Sequence, residues 1–340
     1  MKMEDIAKIA GVSKSAVSLA LSGKSGISSK TRDNILEIVK ETGYIPRSMV
    51  KADQVFRVTN TLRFLVVIDS AFMSEHYQKQ PFFMELIHYI EEQCRIKGYS
   101  LLFSTIDSND LARGSQLFHD ENASSGIILL GTNLTKLQIE EVMNVQKNLV
   151  VLDNYVDELN VDFVVMNNKM GAYQASSYMV TLGHRHIGYV QSSFRIHNFE
   201  SRKQGFYQAK NDYGFQMEDI DMFTLVEQLD FQEQILERVN NNQALPTALF
   251  CENDYVAISV IKALTEVGIR VPADISVVGF DNISEAVIVT PELTTIHVEK
   301  EMMAIQAVEQ MIRIINNKDS IRLKTIVDTK LTVRKSCKKV

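Results

Sequence analysis

From residue 63 onward the sequence alternates short β-branched runs with amphipathic stretches, and no other feature restricts the possible folds as much. FLVVI (64–68), SLLFST (100–105), GIILL (126–130), LVVLD (149–153), HIGYV (186–190), TALFC (247–251) and SVVGF (276–280) read as strands. Between them, 83–97, 135–147, 169–182, 200–213, 254–267 and 299–316 carry helical periodicity. Strand, helix, strand at this spacing predicts parallel sheets with helices on both faces. The stretch is too long for one such sheet. Two α/β lobes are expected, with a ligand held between them at strand carboxyl ends.

The first 46 residues follow a different pattern. Ile6, Ala7, Ile9 and Ala10 give a short helix an apolar face that stops at Gly11-Val12-Ser13. Gly11 suits the positive-φ position of a tight turn. Ser13 suits the N-cap of a second helix, 14–21, with Val17, Ala20 and Leu21 on one side. Ala7, Gly11 and Val17 have helix-turn-helix spacing: a small residue at the crossing, a glycine in the turn, a valine plugging the core. After the loop Gly23-Lys24-Ser25-Gly26, Ser28 or Ser29 caps a third helix striped by Ile35, Ile38, Val39 and Thr42. The fold class predicted is an N-terminal all-α helix-turn-helix domain joined to a two-lobed α/β domain.

The formal net charge of −6 is unevenly spread. Residues 1–51 hold nine Lys/Arg against five Asp/Glu, a balance of +4, and the remainder carries −10. A basic head on an acidic body suggests that the head alone meets nucleic acid. With 45% hydrophobic and 23% charged residues the composition is that of a globular protein, neither disordered nor fibrous. No apolar run approaches the roughly 18 residues of a membrane span. The start MKMEDIAKIAG carries charge where a signal peptide has its apolar core, so a cytoplasmic protein is expected. Cys94, Cys251 and Cys337 lie too far apart for a disulfide framework or a metal knuckle.

DIAKIAGVSKSAVSLALS, then ISSKTRDNIL, then GYIP, resembles the head of lactose-repressor (LacI) family transcription regulators. The resemblance implies that helix 14–21 enters the DNA major groove. Lys14, Ser15 and Leu19 are then the base readers, with Leu19 alternatively ordinary helix packing, and Ser13, Ser18, Thr31 and Arg32 the phosphate contacts. In the linker the sequence departs from the family. The hinge leucine that wedges into the minor groove is replaced by Asp53, which leaves Met49, Val50, Val55 or Phe56 as candidate wedges, or no wedge at all.

The resemblance extends through the body, in PFF (81–83), LGHRHIGYV (182–190), PTALFCENDYVA (246–257), GIRVPADISVVGFDN (268–282), PELTTI (291–296) and LTVRKSC (331–337). It implies a periplasmic-binding-protein-like effector domain. The expected division is a head at 1–46, a hinge at 47–62 and an effector and dimerisation domain at 63–340. Lobe 1 would take about 61–167 and 297–328, and lobe 2 about 168–296 and 329–340. No heptad tail follows Cys337, so a homodimer is expected.

The effector residues implied are Phe82, Phe83, Asp153, Arg202, Phe231, Asn253 and Asp281. An arginine and two carboxylates hold adjacent sugar hydroxyls, and aromatic rings stack on the sugar. Other roles stay open: Phe82 and Phe83 as lobe core, Phe231 as the buried anchor of a helix, Asn253 as a turn residue. Asn167 stands where relatives commonly carry aspartate and can still cap the helix that follows. Ile196 stands where purine-binding relatives can carry arginine, which favours a sugar.

No GxGxxG follows a strand, and GxxxxGK[ST], CxxC and HExxH are missing, so an enzyme is not expected, nor a cofactor or metal. His184 and His186 form an H-x-H whose first member the family pattern explains as structural. The function expected is a repressor of carbohydrate-utilisation genes that binds a near-palindromic operator under control of a sugar. The alternatives are a purine- or nucleoside-responsive or co-repressor-type regulator and, more remotely, a non-regulatory small-molecule-binding protein or enzyme.

Overall fold

The computed structural model describes residues 3–21, 26–42, 60–68, 80–113, 124–225, 228–317 and 319–340. The chain divides into two compact units, Met1–Thr59 and Asn60–Val340. The hinge candidates Met49 and Val50, and Asp53 with them, lie outside the described residues.

The first unit holds α1 (Met3–Ile9), α2 (Lys14–Leu21) and α3 (Ser29–Thr42). Gly11 turns the chain at φ 64°, a conformation costly for any residue with a Cβ. Ser13 Oγ accepts the Ala16 amide at 3.2 Å, which caps α2. Ser28 rather than Ser29 caps α3, its Oγ accepting the Thr31 amide at 3.1 Å. Ile6, Ala7, Val17, Ala20 and Ile35 close over one small core, with Ile38 and Val39 packed against it. The Ala–Gly–Val spacing thus has its physical cause: Val17 is wholly buried among all three helices.

The second unit contains two six-stranded sheets. One is built from β1 (Thr61–Ile68), β2 (Ser100–Asp107), β3 (Gly126–Leu130), β4 (Leu149–Leu152), β5 (Asp162–Met166) and β11 (Lys324–Val327). Its order is β11-β5-β4-β3-β1-β2, parallel throughout. The helices α4 (Pro81–Ile96), α5 (Lys136–Val145) and α10 (Lys300–Asn316) belong to this lobe. Leu62, Phe64 and Val66 of β1 face one core cluster while Leu65 and Val67 face another, as expected of a strand covered on both sides.

The other sheet takes β6 (Ile187–Ser192), β7 (Met222–Leu225), β8 (Ala248–Cys251), β9 (Ser276–Asp281), β10 (Thr294–Val298) and β12 (Thr329–Thr332). Its order is β12-β10-β9-β8-β6-β7, and only the β10–β12 pair is antiparallel. It carries α6 (Asn168–Thr181), α7 (His197–Tyr213), α8 (Gln228–Asn240) and α9 (Asp254–Glu266). A Cβ on Gly205 would collide with the Lys169 carbonyl, so α7 approaches α6 backbone to backbone.

The chain passes from one sheet to the other three times: at Asn167 between β5 and α6, at Glu299 between β10 and α10, and at Asp328 between β11 and β12. Asn167 joins two of these crossings. Its Nδ2 donates to Asp328 Oδ1 at 2.8 Å, while its Oδ1 caps α6 by accepting the Met170 amide.

Candidate functional site

The carboxyl ends of β4, β6, β8 and β9 and the first turns of α4, α7 and α9 line a cavity of about 250 Å³ between the lobes of the body. Asp153 directly follows β4 at φ 64° and is almost fully buried. Its carboxylate accepts from Thr132 Oγ1 at 2.5 Å and Asn198 Nδ2 at 2.8 Å. Asn198 Oδ1 accepts in turn from Asn168 at 2.9 Å, and Asn168 Oδ1 accepts from Arg202 Nε at 2.9 Å. Arg202 then donates through Nη1 to the Glu252 carbonyl at 2.6 Å and through Nη2 to Asp281 Oδ1 at 3.0 Å. Its guanidinium lies 3.7 Å from the centre of the Phe280 ring. One buried polar chain therefore runs from Thr132 and Asp153 in the first lobe to Asp281 in the second.

Asp281 closes β9 at φ 109°, a conformation that an aspartate holds only when its surroundings impose it. Two groups do so. Asp254, wholly buried at the start of α9, accepts the Ile283 amide at 2.9 Å and Thr295 Oγ1 at 2.5 Å. Lys300 Nζ, from the other lobe, donates to the Asp281 carbonyl at 3.2 Å and pairs with Glu85 at 2.9 Å.

Burial is the largest influence on all three carboxyls. It pushes Asp153 up to about 6 against the Thr132 hydrogen bond and the Arg202 charge. It pushes Asp254 up to about 8, aided by the Asp281 charge. Asp281 is raised too, with Arg202 and Lys300 opposing.

Phe82 and Phe83, just behind Pro81 at the start of α4, meet edge to face at 5.4 Å. They line the cavity and belong to the lobe core as well. Asn253 likewise does two things: it lines the cavity, and its Oδ1 caps α9 by accepting the Val256 amide at 2.8 Å. Phe231 is the correction. It lies on the inner face of α8, wholly buried, with its ring 5.2 Å from Phe223 in the second lobe's core and away from the cavity lining. Phe199 supplies an aromatic wall of the cleft instead.

Sequence reasoning passed over Thr132, Asn168, Ser192, Asn198, Phe199 and Tyr255. A signal existed for three of them. Thr132 follows the GIILL strand by two residues, Ser192 ends β6, and Asn198 precedes Arg202 by one helical turn on the same face.

In the head, Lys14, Ser15 and Ser18 are exposed on α2, and Ser15 shares a 2.9 Å hydrogen bond with the capping Ser13. Leu19 is half-buried, and a Cβ on Gly26 would touch its side chain, so part of its surface goes to packing. Thr31 and Arg32 are half-buried near the start of α3.

His184 and His186 serve separate partners. His184 Nδ1 shares a hydrogen bond with Thr247 and its Nε2 one with the Lys338 carbonyl, while His186 meets Asp221 at 2.8 Å. Among the described residues no group of three or more His, Cys, Asp or Glu side chains is arranged to hold a metal ion.

Residues 2–47 match the profile of bacterial regulatory proteins of the lacI family, and residues 177–337 match a periplasmic binding protein-like domain. Across almost its whole length the chain is 30% identical to the HTH-type transcriptional repressor PurR of Pasteurella multocida, with 99% of this chain and 98% of that one aligned. The chain belongs to the lacI family. It is accordingly a DNA-binding transcriptional repressor with an effector-binding domain, not an enzyme. The ribose operon repressor of Haemophilus influenzae is 27% identical over 98% of both chains. The lac repressor dimer bound to operator and an anti-inducer superposes with a TM-score of 0.70 at 21% identity, covering 99% of this chain and 98% of that one, which fixes the fold. Among the described residues no helix is long and apolar enough to cross a membrane.

Proposed function

We propose that this lacI-family repressor acts in the cytoplasm as a homodimer on a near-palindromic operator, and that a sugar bound between its lobes sets its operator affinity. The genes it controls would then serve carbohydrate use. The observation that carries the effector reading is the buried chain Asp153–Asn198–Asn168–Arg202–Asp281 along the cavity wall. It offers two carboxylate acceptors beside amide and guanidinium donors, and a vicinal diol satisfies such a set because each hydroxyl both donates and accepts. Phe82, Phe83 and Phe199 add apolar faces for ring carbons.

In the same reading α2 lies in the major groove. Lys14, Ser15 and the exposed part of Leu19 meet base edges, and Ser13, Ser18, Thr31 and Arg32 meet phosphates. Met49 and Val50 are the proposed minor-groove residues of the hinge. The domain limits follow, with a head at 1–46, a hinge at 47–62 and the effector domain beyond.

A purine effector is the second reading, because the 30%-identical relative is named PurR. Ile196 lines the cavity where that reading asks for a cation, which supports the sugar. A thermal-shift screen of the full chain against sugars, nucleobases and nucleosides tests both. Ligand at about 100 times its dissociation constant adds roughly 2.7 kcal/mol. Stabilisation by a sugar alone supports the proposal, and stabilisation by nucleobases alone replaces it.

A further inference from the structure

We infer that the effector of this cleft is an uncharged, hydroxyl-bearing molecule and that the site rejects its phosphate ester. The inference rests on the effector reading above and adds a charge class to it. Among the described residues the charged side chains lining the cavity are Asp153, Arg202 and Asp281: two carboxylates and one guanidinium.

Three of the five N–H groups of that guanidinium are already committed. Nε donates to Asn168 at 2.9 Å, Nη1 to the Glu252 carbonyl at 2.6 Å and Nη2 to Asp281 at 3.0 Å, and Phe280 covers one face at 3.7 Å. Arginine takes phosphate through a pair of parallel N–H donors; here three of the five N–H groups have protein acceptors, Nε among them, one N–H is left on each of Nη1 and Nη2, and Asp281 already balances the charge. The nearby cations are also matched. Lys300 pairs with Glu85 at 2.9 Å, and Arg195 pairs with Glu252 at 2.8 Å and Glu200 at 2.7 Å.

Asp153 is held by neutral donors, the Thr132 hydroxyl and the Asn198 amide. Its acid is already pushed up by burial, and the Asp281 charge adds to that, so a further anion in the cavity would be resisted. The first turns of α4, α7 and α9 line the cavity, and their positive ends favour negative charge there. The protein supplies that charge itself through Asp153 and Asp281, and Asn253 caps α9. What remains is acceptor carboxylates beside neutral donors and two N–H groups of a guanidinium whose charge Asp281 balances, a pattern complementary to hydroxyl groups and not to a phosphate dianion.

Isothermal titration calorimetry on the full chain tests this with ribose, glucose, cellobiose and adenosine, each measured against its monophosphate ester. The expected result is an uncharged member that binds and an ester that binds at least about tenfold more weakly. In Asp153→Asn that gap should narrow. Should adenosine be the uncharged binder and its monophosphate be rejected, the charge class stands while the sugar reading falls. An ester that binds as tightly as its parent, or more tightly, overturns the inference, as does binding by no uncharged member.

Discussion

Arg202 holds three acceptors at once while stacked on Phe280, and among the described residues Asp281 is the acidic side chain it pairs with. Replacing Asp281 by asparagine keeps the shape of the turn but removes the charge that balances the guanidinium. Effector response should be lost while operator binding persists, as measured by operator titrations with and without ligand. A normal response would move the effector site elsewhere. Asp254 makes a separate, pH-dependent prediction. Its folded pKa of about 8 lies above the 3.8 of the unfolded chain, so the folded state binds the extra proton. The stability this provides is complete below 3.8 and is lost as pH rises through about 8. The melting temperature of the wild type should therefore fall more steeply across that window than that of Asp254→Asn; equal slopes would contradict the assignment. In the head, Lys14→Ala should relax base preference at one operator position, at a cost of about 1–3 kcal/mol for the preferred base. Arg32→Ala should instead weaken all sequences alike and lower the salt slope by about one. Uniform loss from Lys14→Ala would remove it from the readers.

At the scale of elements, the Asn167 crossing is the most specific feature. Aspartate there would still cap α6, but its carboxylate would face that of Asp328. Asn167→Asp should cost on the order of 1 kcal/mol in thermal or denaturant unfolding, and adding Asp328→Asn should restore it. No loss in the single variant would show that the crossings are not tied through this bond. The elements that were legible in the sequence share one property. Strands buried on both faces, such as β3 and β4, read as unbroken apolar runs, and helix 14–21 was announced by its cap and its periodicity. β7, β10, β11 and β12 were not picked out, because they are short, lie at or near a sheet edge and mix polar with apolar residues. β5 was missed although it is wholly buried: its run DFVVM begins with Asp162, which Arg313 pairs at 2.6 Å. α8 went unread for a related reason. Its single ring, Phe231, suits either a ligand contact or the buried anchor of a helix, and the packing of α8 on Phe223 places it inside the lobe.

At the scale of the whole molecule, effector and operator act on one chain, so their effects on each other are a shared free energy. Among the links that cross the cleft are Asp153 to Asn198 and Lys300 to the Asp281 carbonyl, and both end on residues of the candidate site or beside them. A ligand that replaces or reinforces these links changes how the lobes close, which gives it a differential affinity for closed and open forms. The most direct measurement is operator affinity by fluorescence anisotropy, without and with saturating effector, paired with effector affinity by calorimetry, without and with operator. The two factors should be equal, and both should collapse to one in Asp281→Asn. An operator affinity unchanged by a ligand shown to occupy the cleft would contradict the claim that this cleft controls DNA binding.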